Sequence, residues 1–266
     1  MNTSTISPPW LNKVPEVTLV FWLIKMMSTT VGETGADYLN MDLGFGLLNT
    51  SWVVGGLLLV TLVFQLRETR YQPAIYWLTV VFISIFGTLV TDNLTDALHV
   101  PLAYSSLFFA LALLVTFVLW YAREKTLSIH HIDNRVRERF YWLAILFTFA
   151  LGTAVGDGLA EGLNMGYYSA AAFFGGWILI IATARFVFRA NAVFCFWAAY
   201  ILTRPFGAAC GDLLSQPVEN GGFGFGANVV SLIFGAVIVV LVGCLSIIER
   251  HKPAPDSVRS DEESPR

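Results

Sequence analysis

Charge is what this sequence has least of. Asp, Glu, Lys and Arg make up 13% of its 266 residues and hydrophobic residues 56%, with a mean hydropathy of +0.65. That balance excludes a soluble domain of this length. The formal net charge of −3 is too small to suggest a nucleic-acid partner. Cysteine is scarce too: Cys195, Cys210 and Cys244 have neither paired nor metal-ligand spacing, which excludes a disulfide framework and a zinc cluster. HExxH and GxSxG are absent, so neither a zinc-protease nor a serine-hydrolase signature is present and no enzyme is predicted. Of four histidines only His99 stands near an apolar run, too few for axial haem ligation. His130 and His131 sit among basic residues in a polar linker. Before the first apolar run there is only Lys13, and no small-residue cleavage site follows it, so this run is read as structural rather than as a removable signal.

What is present is eight apolar runs, each of about the 20 residues a helix needs to cross a bilayer. They lie near 16–40, 48–66, 74–98, 102–122, 140–163, 168–188, 191–216 and 224–247. They predict an all-α integral membrane protein with eight transmembrane helices. The chain divides into a polar leader (1–15), repeat 1 (16–70), repeat 2 (71–125), a basic linker (126–138), repeat 3 (139–190), repeat 4 (191–250) and a Pro/Ser/acid-rich tail (251–266) predicted to be disordered. Lys and Arg collect after even-numbered runs, at Arg67, Arg70, Arg123, Lys125, Arg135, Arg137, Arg139, Arg185, Arg189, Arg250 and Lys252. The linkers after odd-numbered runs have none. The positive-inside rule therefore predicts cytoplasmic termini and odd helices running from inside to outside.

The odd runs repeat one another. FGTLVTDNLTD (86–96) matches LGTAVGDGLAE (151–161), with STTVGETGAD (28–37) and GAACGDLLSQ (207–216) set in the same frame. This frame aligns Glu33, Asp92, Asp157 and Asp212 as anchor acids. Small residues recur beside each anchor, as close helix packing in lipid requires. Four residues on stand Asp37, Asp96, Glu161 and Gln216; seven on stand Asn40, His99, Asn164 and Glu219. Offsets of 0, +4 and +7 share one helix face, giving each odd helix a polar stripe. Trp77, Trp142 and Trp197 stand fifteen residues before their anchors, whereas the first copy has Trp22 off this position.

Four tandem two-span repeats, each with a tryptophan and a G-T-x-x-G-D-x-x-A-E-like signature, resemble a family of bacterial membrane-anchored proteins known as a repeat of unknown function. The likeness covers roughly residues 16–248. It implies a four-repeat, eight-span protein of the bacterial inner membrane. It supplies no activity. The charge-free even runs, such as VVGGLLLVTLVF and SSLFFALALLVTFVLW, predict four helical hairpins about a pseudo-fourfold axis, with odd helices inward and even helices toward lipid.

The candidate site follows from the charges inside the odd runs. Seven acids (Glu33, Asp37, Asp92, Asp96, Asp157, Glu161 and Asp212) and two bases (Lys25 and Arg204) lie there. Intramembrane charges cost a few kcal/mol each and face a bundle interior or a wet cavity. With each base neutralising one acid, five acids remain, which predicts a central acidic path. Carboxylates with Asn, Thr and one His are hard ligands, suited to protons, Na⁺, Mg²⁺, Ca²⁺ or Mn²⁺. Asp92, Asp96, Asp157 and Glu161 are predicted to form the cation or metal site, with Lys25 and Arg204 balanced by Glu33, Asp37 and Asp212. Asn40, His99, Asn164 and Gln216 are secondary polar ligands. The function expected is membrane transport of an inorganic cation, foremost proton-coupled efflux of a Mn²⁺-like metal, with no cofactor beyond a bound divalent ion. The alternative is a non-transporting scaffold or receptor whose buried charges only fix helix packing.

Overall fold

The structure, a computed structural model, describes residues 12–251, the side chains of His131 and Glu161 excepted. The predicted tail beyond His251 and the first eleven residues of the leader lie outside this range. Eight long helices account for most of it: α1 (Leu19–Asp37), α2 (Leu47–Arg67), α3 (Pro73–Asp92), α4 (Leu102–Glu124), α5 (Arg135–Asp157), α6 (Tyr167–Phe186), α7 (Ala192–Ser215) and α8 (Ala227–Arg250). Their starts are set by local chemistry. Thr18 accepts a hydrogen bond from Phe21 N, Asn134 from Val136 N and Arg137 N, and Asn191 from Val193 N and Phe194 N, capping α1, α5 and α7. Pro73 opens α3, where a missing N–H costs nothing.

The odd helices form the inner ring. α1 packs on α3, α3 on α5, α5 on α7, and α7 returns to α1. The even helices make an outer ring displaced by one place: α2 lies on α3, α4 on α5, α6 on α7, and α8 on α1. Each outer helix thus covers the inner helix of the following repeat. Its buried contacts form one stripe, Thr50, Val54, Leu58, Thr61 and Gln65 on α2 and Ser105, Phe109, Leu113, Thr116 and Trp120 on α4, at identical spacing. The outward faces are apolar, with Trp52, Leu59, Leu107, Phe108, Leu179 and Leu232 all exposed. Long hydrophobic helices with such outward faces are the surface of a membrane-associated protein.

Seven of the eight helices are long and apolar enough to cross a membrane; α1 is the exception. Its lower hydropathy has a structural reason. Lys25, Ser28, Thr29, Thr30, Glu33 and Thr34 are all buried against α3, α7 and α8, so its polar groups face protein.

The structure corrects the alignment of the first repeat by one helical turn. α3 ends at Asp92, and a π turn, Asn93–Ala97, follows; α5 ends at Asp157, followed by the π turn Gly158–Gly162. In the first repeat the π turn is Tyr38–Asp42, so the helix ends at Asp37 and not at Glu33. The closing bonds are alike: Leu43 N donates to Tyr38 O, Leu98 N to Asn93 O and Leu163 N to Gly158 O. Trp22 stands fifteen residues before Asp37, so the first tryptophan is in register. Asp37, Asp92, Asp157 and Asp212 are the equivalent acids. Glu33 is equivalent to Thr88, Thr153 and Ala208. The fourth repeat has no π turn, because Pro217 follows the C-cap Gln216 and a 3₁₀ turn at Val218–Asn220 replaces it.

Four glycines hold the ring closed. A β-carbon on Gly32 would meet Ser84 of the next copy, on Gly87 Phe149, on Gly152 Arg204, and on Gly207 Thr29 of the first copy. These are equivalent positions, one at each inner interface. At Gly87 the added carbon would lie 2.8 Å from Phe149 Cβ and 3.2 Å from the Ala150 nitrogen, atoms that move only with the helix. Gly87→Ala is therefore expected to destabilise by roughly 1–3 kcal/mol. Gly56→Ala on α2, with nothing within 4 Å of the added carbon, is expected to be neutral or stabilising by up to about 1 kcal/mol. Thermal denaturation of both variants in one detergent checks the pair.

The basic end is pinned by a contact with no sequence signature. Lys13 Nζ lies 2.6 Å from Glu138 Oε2, both buried, and Gln65 Nε2 donates to the other oxygen at 3.5 Å. Lys13 N also donates to Ile132 O at 3.2 Å. The end of the polar leader is thereby fastened to the linker before α5. Glu138→Ala leaves the ammonium buried and unpaired, and is expected to cost roughly 2 kcal/mol, measured as a fall in the denaturation midpoint. The Lys13→Met, Glu138→Met double variant is expected to recover part of that loss.

Candidate functional site

Equivalent residues of the four inner helices fall in sets four residues apart, about 6 Å of rise per step, and these sets are taken as layers. At the basic end the layer is Phe21, Tyr76, Tyr141 and Phe196, all buried, with the Tyr76 and Tyr141 hydroxyls 2.5 Å apart. Next come Lys25, Val80, Ile145 and Tyr200, then Thr29, Ser84, Phe149 and Arg204. Glu33, Thr88, Thr153 and Ala208 form the fourth layer, and the four aspartates Asp37, Asp92, Asp157 and Asp212 the fifth. Lys25 and Arg204 thus stand one layer apart and not at one depth.

Arg204 is the hub. Fully buried on α7, its guanidinium donates to the Thr29 carbonyl at 3.1 Å, to Glu33 Oε2 at 2.9 Å, to Thr153 Oγ1 at 2.7 Å, and to Thr88 Oγ1. Glu33, Thr88 and Thr153 are the equivalent residues of the other three copies. One side chain on α7 therefore bonds to the other three inner helices, α1, α3 and α5. Charge-assisted bonds of this kind are the stronger ones. The planar fork can reach several partners at once, which a lysine there could not do. Below it, every residue of these layers, from the aromatic layer to the Glu33 layer, is buried.

Among the described residues Lys25 pairs with no carboxylate. Its Nζ makes no hydrogen bond and sits over the Phe149 ring at 4.2 Å and the Tyr200 ring at 4.4 Å from their centroids. The four-residue offset explains this: Lys25 is too deep for the acids, and Arg204 stands between.

Above Arg204, carboxylate oxygens of Glu33, Asp157 and Asp212 all lie within 4.8 Å of one another. Glu33 and Asp212 are buried and Asp157 is half-buried. Among the described residues this trio is a cluster able to hold a cation, with three oxygen donors of the hard class. It differs from the predicted set. Asp157 is common to both, while Glu33 and Asp212 join it in place of the residues expected from the second repeat. Asp92 is half-buried, within electrostatic reach of Glu33, Asp37, Asp96 and Arg204. Asp96 is exposed in the π turn beyond the end of α3. Asp37 is half-buried beside the trio's layer. Glu161 falls in the π turn Gly158–Gly162, and its side chain lies outside the described residues.

The predicted secondary ligands lie at the turns and caps that end the inner helices. His99 and Asn164 are exposed, both with φ of 52°, in the left-handed region. They occupy the position that Gly44, with φ of 67°, fills in the first repeat. Here they turn the chain from π turn to outer helix, a role Asn and Gly accept readily. Asn40 is half-buried within the first π turn, and Gln216 is half-buried at the C-cap of α7.

Sequence reasoning missed the hub formed by Thr88 and Thr153 around Arg204. The signal that finds it is the Trp-to-Asp spacing: once Trp22 is aligned with Trp77, Glu33 falls on the threonines.

Comparison with curated proteins and with solved structures found no match to the chain. A family profile did match: a Repeat of Unknown Function (DUF347), at residues 20–71, 75–126, 140–191 and 195–251. The matched segments begin seventeen residues before Asp37, Asp92, Asp157 and Asp212, the same register that the π turns give. Four copies in tandem span most of the sequence, and the chain belongs to this repeat family.

Proposed function

We propose that this chain is an eight-span protein of the bacterial inner membrane, with both termini cytoplasmic, acting as a membrane receptor or scaffold that holds a cation at its outer end. Arg204 and its threonine and glutamate partners fix the packing of the four repeats. The Glu33, Asp157 and Asp212 trio above them holds a divalent cation of the Mg²⁺, Ca²⁺ or Mn²⁺ class. The observation that carries this reading is the position of Arg204: bonded from α7 to α1, α3 and α5 beside the trio, it stands between the acids and Lys25. The membrane setting is supported by the outward apolar faces and by the Arg-rich linkers confined to one end.

A second reading, proton-coupled efflux of a Mn²⁺-like cation, draws on one specific observation. The acids and Lys25 lie on one axis, a column of titratable groups through the bundle. Binding and flux separate the two. Purified full-length protein is titrated with Mn²⁺, Ca²⁺ and Mg²⁺ by calorimetry, and then reconstituted in liposomes bearing a pH gradient. Saturable binding without flux supports the receptor or scaffold reading. Flux dependent on the pH gradient would replace it with transport, and absence of both binding and flux would overturn the cation site itself.

A further inference from the structure

Lys25 carries a buried amine to which no group among the described residues is hydrogen-bonded. The chain has placed its ammonium at full burial, and all three of its N–H groups lack a hydrogen-bond acceptor. Two aromatic faces stand against it, Phe149 at 4.2 Å and Tyr200 at 4.4 Å. Cation–π attraction offsets part of the cost of removing an ammonium from water, but supplies no acceptor for its N–H bonds. Two further unpartnered donors lie around the same rings. The Tyr200 hydroxyl is buried without a partner. Arg204, one turn further along α7, has its Cζ 5.7 Å from the Phe149 centroid and leaves Nε unbonded, although its other nitrogens are well used. Arg204 is also close enough to act on Lys25 electrostatically.

The charge balance is as one-sided as the hydrogen bonding. Glu33 answers Arg204 at 2.9 Å, and the remaining acids lie on the far side of the guanidinium. With Lys25 protonated there is one surplus positive charge around Phe149, where Lys25 Nζ and Arg204 Nε can only donate and the unpartnered Tyr200 hydroxyl is free to donate as well. We propose that Lys25 Nζ, Arg204 Nε and the Tyr200 hydroxyl form a buried binding site for a small monovalent anion of the halide class, on the axis beneath the acidic trio.

The size and class follow from the walls. Val80 and Ile145, both fully buried, complete the Lys25 layer, and they offer nothing to the corners of a tetrahedral oxyanion. A single surplus charge calls for a single negative one. A spherical, weakly hydrated ion meets both conditions, and chloride is the abundant member of that class. This site is separate from the cation trio and does not depend on it: an anion here would neutralise the core whether or not a cation binds above.

The test is the halide dependence of stability. Full-length protein in one detergent is melted across a series in which sodium gluconate is replaced by sodium chloride or bromide at constant ionic strength. The expected result is a saturable rise in the midpoint, on the order of 5 °C at a hundredfold excess over the dissociation constant. Lys25→Met should abolish the halide response. Having lost an unanswered charge, it should melt in gluconate no lower than the parent. Tyr200→Phe keeps the ring and the packing, and should shift the response to several-fold higher halide concentration. A midpoint indifferent to halide in the parent would overturn the proposal, as would an undiminished halide response in Lys25→Met. If Lys25→Met fails to fold, Tyr200→Phe decides: an unchanged halide titration there overturns the site as drawn.

Discussion

Arg204→Met is expected to be the most damaging single substitution in the molecule, lowering stability by roughly 3–5 kcal/mol. Methionine fills much of the same volume, so the loss is not chiefly one of packing. It comes from what is left behind: Glu33 is buried with its charge unanswered, and the Thr88 and Thr153 hydroxyls and the Thr29 carbonyl lose their donor. Glu33→Gln alone should be milder, because the guanidinium keeps three neutral acceptors. The double variant, Arg204→Met with Glu33→Gln, should be more stable than Arg204→Met, with a coupling of about 1–3 kcal/mol. Chemical or thermal denaturation of the three variants measures it. Additivity of the two single effects would show that the pair is not the source of the cost. Arg204→Lys is also expected to be poorly tolerated, because an ammonium cannot reach α1, α3 and α5 together as the fork does.

The second large effect is on cation binding. Asp157→Asn keeps the shape of the trio and removes one of three charges, so affinity for Mn²⁺ or Ca²⁺ should fall at least tenfold to a hundredfold, a range that substitutions of outer-shell partners alone already reach. Asp157 is the informative choice because Glu33 is also bound to Arg204, so that a change there alters both stability and binding. Asp96→Asn is the control: Asp96 is exposed in its π turn, away from the trio, and its replacement should leave affinity unchanged. Isothermal titration of both proteins decides the matter. Equal losses in the two variants would mean that the acidic end attracts cations diffusely and that the trio is not a site.

How far the sequence discloses this molecule differs from level to level. The eight helices and their hairpin order are legible because span length and hydropathy are local properties. The inward placement of the odd helices is legible because their charges and small residues have only one tolerable environment. The register of the first repeat is not, and the reason is specific. VGETGAD contains a glycine–acid pair at Gly32–Glu33 that imitates Gly156–Asp157, while its true counterpart, Asp37, follows alanine. A one-turn slip keeps every residue on the same helix face, so periodicity cannot detect it. Only the distance to Trp22 does. The carboxylate trio is illegible for another reason. Glu33 reaches the cluster from one turn lower on α1 because its side chain is longer than aspartate's, and whether a side chain crosses a shared axis is not a property of its own helix.

The one-place displacement of the outer ring bears on how the chain can be made. The ribosome delivers repeats in order, but α1 is not enclosed by its own hairpin partner; its cover is α8, and its flank α7. Some 200 residues separate α1 from α8, and long-range closures of this kind come late. Until then α1, the helix that is not among the candidate spans, has no completed cover for Lys25 and Glu33. Chains that end at α6 would therefore form an open arc with a charged edge. The last inner helix brings Arg204 with it. The residue that ties the four copies together is thus also among the last to be synthesised, so the arc acquires its central lock only when the ring is ready to shut.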